Sequence, residues 1–212
     1  MDTLDRNIVV LTWLLRGIED HFIAFSKFDT PFSRYRPFLN SMGFEMIAKA
    51  YVLAMCPKDY EGLPREEAIV KIDEIGRKTG HDARILFDLV KVSLGEGKAN
   101  DLLMRDYDGF SGAQFLVVIK AAYLESRYPV PNPIHEKFPH PKYKNLSWDP
   151  LFSSGLEKFC FEFARAVIHS LKKDFEITLS SSKLRERVFG EAAARFNNLF
   201  FDSRMTDFVV SD

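Results

Sequence analysis

Cysteine is almost missing from this chain. Cys56 and Cys160 are its only two in 212 residues. Two thiols cannot build a disulfide framework and offer no metal-ligand spacing, so both read as buried free thiols. Long apolar runs are missing too, and nothing approaches the roughly 18 residues a membrane span needs. The stretch Ile8-Val9-Val10-Leu11 follows the acidic Asp2 and Asp5, whereas a signal peptide opens on basic residues and runs longer. The expectation is a cytoplasmic protein without a membrane partner. Charge of one sign is not in excess: 29 Lys and Arg stand against 30 Asp and Glu. That balance excludes a dedicated nucleic-acid binder but leaves room for a local basic patch. No P-loop, dinucleotide-binding glycine fingerprint, G-x-S-x-G or H-E-x-x-H motif occurs, and no cofactor or metal is expected.

What is abundant is phenylalanine, with 20 Phe against two Trp and seven Tyr. Phe has no polar handle, so most of these rings belong in a core or a subunit interface. The hydrophobic fraction of 46% is ordinary for a folded domain and argues against global disorder. The periodicity is helical throughout and predicts an all-α chain. Leu4, Ile8, Leu11, Leu15, Ile18, Phe22 and Phe25 form one stripe on a first helix over 4–25. Its spacing suits packing on another long helix, in this chain or in a second copy. Further helices are expected over 37–56, facing inward through Phe44, Ile47, Tyr51 and Met55, over 64–80 with Ile69, Ile72 and Ile75 lining it, and over 81–94. Residues 96–108 read as a connecting loop. Ser111 and Gln114 make a capping-box pattern for a helix running to about Arg127. Asp149-Pro150 opens the next, to about Lys173, and Ser180-Ser181-Ser182 caps a last one over 182–200. No convincing strand is present.

Between Tyr128 and Lys144 five prolines fall within thirteen residues, which excludes a regular helix. Arg127, Lys137, Lys142 and Lys144 stand there against Glu136 alone, with His135, His140, Tyr128, Phe138 and Tyr143 interleaved. Cations beside aromatics can grip phosphate and stack a base, so Arg127, His135, His140, Lys142 and Lys144 are candidate ligand contacts. A loop that folds its aromatics back on the bundle explains the same residues.

The order of short motifs points further. Phe44-Glu45-Met46-Ile47-Ala48-Lys49-Ala50-Tyr51 is followed by Gly80-His81-Asp82, then by Glu125-Ser126-Arg127-Tyr128-Pro129, and then by a helix with Phe163-Ala164-Arg165-Ala166-Val167-Ile168. This resembles the HEPN superfamily of helical bundles (higher eukaryotes and prokaryotes nucleotide-binding) over about 38–173. The resemblance implies a HEPN-like bundle with additional N- and C-terminal helices, 4–25 and 182–200, within a single domain over 1–212. It also implies a homodimer, with a nucleotidyltransferase as one type of partner. Some members are metal-independent ribonucleases of toxin or defence systems. In these an Arg stabilises phosphate charge and a His transfers protons at the ribose 2′-hydroxyl.

Arg165 and His169 lie in the region that this resemblance marks for catalysis. Only three residues separate them, fewer than in the ribonucleases. Their neighbours Phe163, Val167 and Leu171 suggest a partly buried helix and a structural histidine. Arg16 and His21 match the wider spacing but lie in the first helix, where Asp20 is a natural partner for Arg16. Arg77 and His81 flank Gly80, and His81 reads as a cap or an ordering residue of that turn. The expected role is therefore a non-catalytic HEPN-like module that binds a nucleotide, RNA or a partner protein. A ribonuclease using Arg165 and His169, and a purely structural helical scaffold, are the alternatives.

Overall fold

A computed structural model describes residues 3–26, 35–127, 150 and 153–179. The described part is all-α apart from one very short hairpin. Its elements are α1 (Arg6–Ser26), α2 (Tyr35–Met55), a 3-10 turn (Pro57–Asp59), α3 (Arg65–Thr79), α4 (Ala83–Leu94), α5 (Glu96–Met104), β1 (Asp106–Tyr107), β2 (Phe110–Ser111), α6 (Gly112–Arg127) and α7 (Ser154–Phe175). Among the described residues no helix is long and apolar enough to cross a membrane. The helix expected over 182–200 lies outside the described residues.

Helix α2 is the centre of the bundle, apolar on several sides and packed on α1, α4, α6 and α7. Helix α1 opens on Asp5, whose carboxylate accepts from the backbone N–H of Asn7 at 2.8 Å. It runs antiparallel to α2, and the two cross at glycine. A Cβ on Gly17 would lie 2.7 Å from both the Gly43 carbonyl oxygen and a side-chain carbon of Ile47. Leu11, Leu15 and Ile18 of the expected stripe are buried, and this contact shifts the inward face of α1 rather than replacing it. The fully buried line is Val10, Leu14, Ile18 and Ala24, whereas Ile8, placed on the stripe, is 61% exposed. Backbones that touch at Gly17 turn that side of the helix inward, and a count of large apolar residues gives glycine no weight.

Among the described residues, five Phe rings build the centre of the core. Phe44 stacks on Phe163 with ring centroids 4.2 Å apart. Phe87 and Phe115 meet Phe163 and Phe159 at 5.9 and 5.5 Å. All five rings are fully buried, and they join α2, α4, α6 and α7.

Residues 96–108 are not a loop. Gly95, at φ 77°, ends α4 and starts α5, a nine-residue helix that buries only Ala99 and Leu102. The hairpin follows, with Asp106 opposite Ser111 and Tyr107 opposite Phe110. Asp108 and Gly109 at its tip have φ 55° and 89°, the left-handed pair of a two-residue hairpin turn. Its Tyr107 carbonyl lies so close to Gly155 of α7 that any side chain there would collide. The capping box of α6 is formed: Ser111 N–H donates to Gln114 Oε1 at 2.8 Å, and Gln114 N–H points back to Ser111 Oγ at 3.4 Å.

Other boundaries shift. Ser153 is the N-cap of α7, four positions beyond Asp149, which lies outside the described residues. Met55 and Ile69, placed on inward faces, are 42% and 52% exposed. Both cysteines are free; Cys160 is buried as expected, while Cys56 is only partly so.

Candidate functional site

Three polar residues a turn apart on α2, Ser41, Glu45 and Lys49, are all buried. A charged pair in a core is costly to desolvate unless every lone pair and proton finds a partner. Lys49 Nζ lies 2.7 Å from Glu45 Oε1. The other carboxylate oxygen, Oε2, is 2.8 Å from His81 Nδ1. A carboxylate only accepts, so Nδ1 is the donor in this bond. Ser41 Oγ donates to the Ile119 carbonyl of α6 at 2.8 Å.

His81 does not cap α4. Asp82 does, accepting from Arg84 N–H at 3.0 Å, while its second oxygen is paired with Lys120 of α6. Burial alone would raise the Asp82 carboxyl, but the bonds from Lys120 and the backbone outweigh it and hold it below the usual range. Glu45 and His81 are 36 positions apart, and their contact draws α2 and the start of α4 together. Asp82 and Lys120 add α6 to the same corner.

A second buried polar group lies on the α1–α2 seam. His21 Nδ1 is 3.2 Å from Asn40 Oδ1, and the ring packs on Gly43. Asp20 beside it is buried, and its partner Arg16 approaches to 3.4 Å from the exposed side. Burial raises the Asp20 pKa to about 6 and lowers that of His21 to about 4. Arg16 and His21 therefore face different surroundings and do not form a pair. At the far end of α2, Tyr51 Oη donates to Asp174 Oδ2 at 3.2 Å, and Ser93 binds the same oxygen.

Arg165 and His169 occupy the outer face of α7. Both are exposed, one turn apart, and share that face with Lys158, Lys172 and Lys173. The expectation of a partly buried, structural His169 is corrected: Phe163, Val167 and Leu171 face the core, but a side chain two residues on is turned by about 200°. Arg165 has one acidic neighbour, Glu162, at 3.9 Å, and Glu162 also meets Arg105 at 3.5 Å. Arg77 is exposed and paired with Asp73, away from the Glu45–His81 contact. Of the expected ligand contacts, His135, His140, Lys142 and Lys144 lie outside the described residues, as does the side chain of Arg127, which ends α6. Among the described residues no group of three or more His, Cys, Asp or Glu is placed to hold a metal ion.

The burial of Glu45 and Lys49 is not evident from their own spacing. Its one signal in the sequence is that α2 carries apolar residues on all sides, which leaves no outer face for the pair. Comparison with protein-family models finds no match, and comparisons with curated proteins and with solved structures find none either.

Proposed function

We propose that the chain is a HEPN-like helical module that binds a phosphate-bearing ligand, a nucleotide or RNA, without cleaving it. The observation that carries the HEPN-like part is the meeting of two motifs in one network: Glu45 and Lys49 of the first with His81 of the second. In that network both Glu45 oxygens are engaged, so the motif residues serve as a frame that locks helices together. Ligand contact then falls to surface cations, of which α7 presents a row.

A second reading, a metal-independent ribonuclease, draws on the exposure of Arg165 and His169 on one helix face. A guanidinium and an imidazole one turn apart can reach a phosphate and a neighbouring hydroxyl together. Homodimerisation belongs to both readings.

Two assays separate them. Ligand binding is read as a rise in melting temperature with ATP or a short RNA. No rise with either removes the binding reading. Cleavage is read on labelled RNA in EDTA. Cleavage that disappears in a folded His169→Ala variant would replace the binding reading with the nuclease one.

A further inference from the structure

We infer that α3 is a hinged outer helix that swings away from the bundle as a unit and uncovers an apolar surface on itself and on α1. Its packing is inverted in size. Ala68, Ile72 and Gly76, spaced four apart, form the inward line, and only these three of its 15 residues are buried. Two of them are the smallest side chains available. The larger Ile69 and Val70 point outward and are 52% and 56% exposed. Buried apolar area is what holds a helix to a core, and Ala and Gly supply little of it. Helix α7, by contrast, buries eleven of its 22 residues, Phe159 and Phe163 among them. An element with so few buried apolar contacts is of the kind that opens locally while the rest stays folded.

A pivot stands at each end of the helix. Gly62 and Gly80 have φ 79° and 71°, and a Cβ on either would meet nothing within 4 Å. Gly80, with ψ −160°, holds a conformation essentially confined to glycine, a residue that reaches other conformations as readily. The chain beyond each pivot is anchored. Tyr60 is fully buried, and its Oη donates to the Leu53 carbonyl at 3.0 Å. His81 is tied to Glu45. Helix α3 also carries interactions that move with it. Lys71 pairs with Glu74 at 3.0 Å and Arg77 with Asp73, both within the helix. Glu66 and Glu67 in its first turn and Arg77 and Lys78 in its last suit its dipole. A swing gives up the Thr3–Pro64 bridge and the seat of Gly76 on Trp13, whose ring lies 3.5 Å from the place of a Cβ. The open form bares Trp13 on α1, and on α3 it joins Ala68, Ile72 and Ile75 to the already exposed Ile69 and Val70.

The test uses the full chain with Ala68→Cys or Ile72→Cys and a thiol reagent, the labelled position being assigned by mass spectrometry. Cys160, fully buried in α7, is the internal reporter of global unfolding. The thiols introduced at 68 and 72 are expected to react at a common rate, about a hundredfold or more above that of Cys160. That rate should not change in urea below the unfolding transition, whereas the Cys160 rate should climb, because a swing exposes far less surface than unfolding does. Reaction of both positions at the Cys160 rate, with the same urea dependence, overturns the swing. Fast reaction at 72 with slow reaction at 68 also overturns it, since it marks access at the helix edge without opening. Amide exchange in wild type repeats the comparison without a substitution. A 15-residue helix is marginal in water once undocked, so α3 should lose protection well before α7 at low urea. Equal protection of the two helices rejects the hinge.

Discussion

Glu45 Oε2 sits 2.8 Å from His81 Nδ1, across 36 positions of sequence, while its other oxygen holds the buried ammonium of Lys49. One carboxylate thus serves a core cation on its own helix and an imidazole just before α4. Removing one charge leaves the other buried without its partner. Lys49→Met is expected to lower unfolding free energy by about 3–5 kcal/mol in urea denaturation. Replacing both, Glu45→Leu with Lys49→Met, should recover much of that loss. A double variant as unstable as the single one would show that the pair stabilises the fold beyond the cost of its desolvation.

The meeting of α1 and α2 at Gly17 and Gly43 gives a sharper steric prediction. A Cβ at either position lies 2.7 Å from the carbonyl oxygen of the other. Gly17→Ala and Gly43→Ala must push the helices apart, at a cost of about 1–3 kcal/mol or more. At Gly97, inside α5, an added methyl group would have nothing within 4 Å. Gly97→Ala is expected to stabilise by about 0.5–1 kcal/mol, because alanine loses less backbone freedom on folding. Thermal unfolding of the three variants should show two decreases and one increase in Tm.

Local features are the most legible in this sequence. Ser111 and Gln114 lie three residues apart, and their reciprocal bonds need no other element. The Phe-rich helical core follows from composition and period, since a ring without a polar group has few places to go. Glu45 and Lys49 show the limit. The same i,i+4 string decorates exposed helices, and its burial here is decided by α4 and α6 arriving from elsewhere in the chain. Helix α5 is hidden for another reason: with nine residues and two buried side chains it has too short a face for periodicity to register. The apolar sequence neighbours of His169 suggest burial, yet a helix sends them to the opposite side.

The two cysteines should differ in reactivity. Cys160 is fully buried, and burial raises its thiol far above the usual range. Cys56 is only partly buried, and burial together with nearby Asp59 raises its thiol as well. The thiolate is the reactive form, so both react slowly, but Cys56 is the one a reagent can reach. A chromogenic disulfide reagent should titrate one thiol in the native protein and the second only after unfolding. Equal reaction of both in native conditions contradicts the burial of Cys160.

Asp20 and His21, adjacent on α1, make opposite demands on pH. Burial raises the Asp20 pKa from 3.8 to about 6, against the lowering influence of Arg16. Its folded value lies above its unfolded value. The stability it contributes as a neutral acid is therefore complete below about pH 4 and is lost as pH rises through 6. Burial lowers the His21 pKa from 6.5 to about 4, against its bond to Asn40. Its contribution is complete above about pH 6.5 and is lost as pH falls through 4. Between those limits the two slopes oppose, so wild-type stability should vary little with pH on their account. Asp20→Asn removes one slope. That variant is expected to exceed wild type at pH 7 by on the order of 2 kcal/mol, to lose the advantage below pH 4, and to gain stability steadily between. His21→Gln leaves the other slope, and its stability should fall with rising pH across the same window, whatever its absolute loss from packing on Gly43. Urea denaturation from about pH 3.5 to 8 measures both. Curves for the two variants that run parallel to wild type would mean that neither group titrates differently in the folded chain.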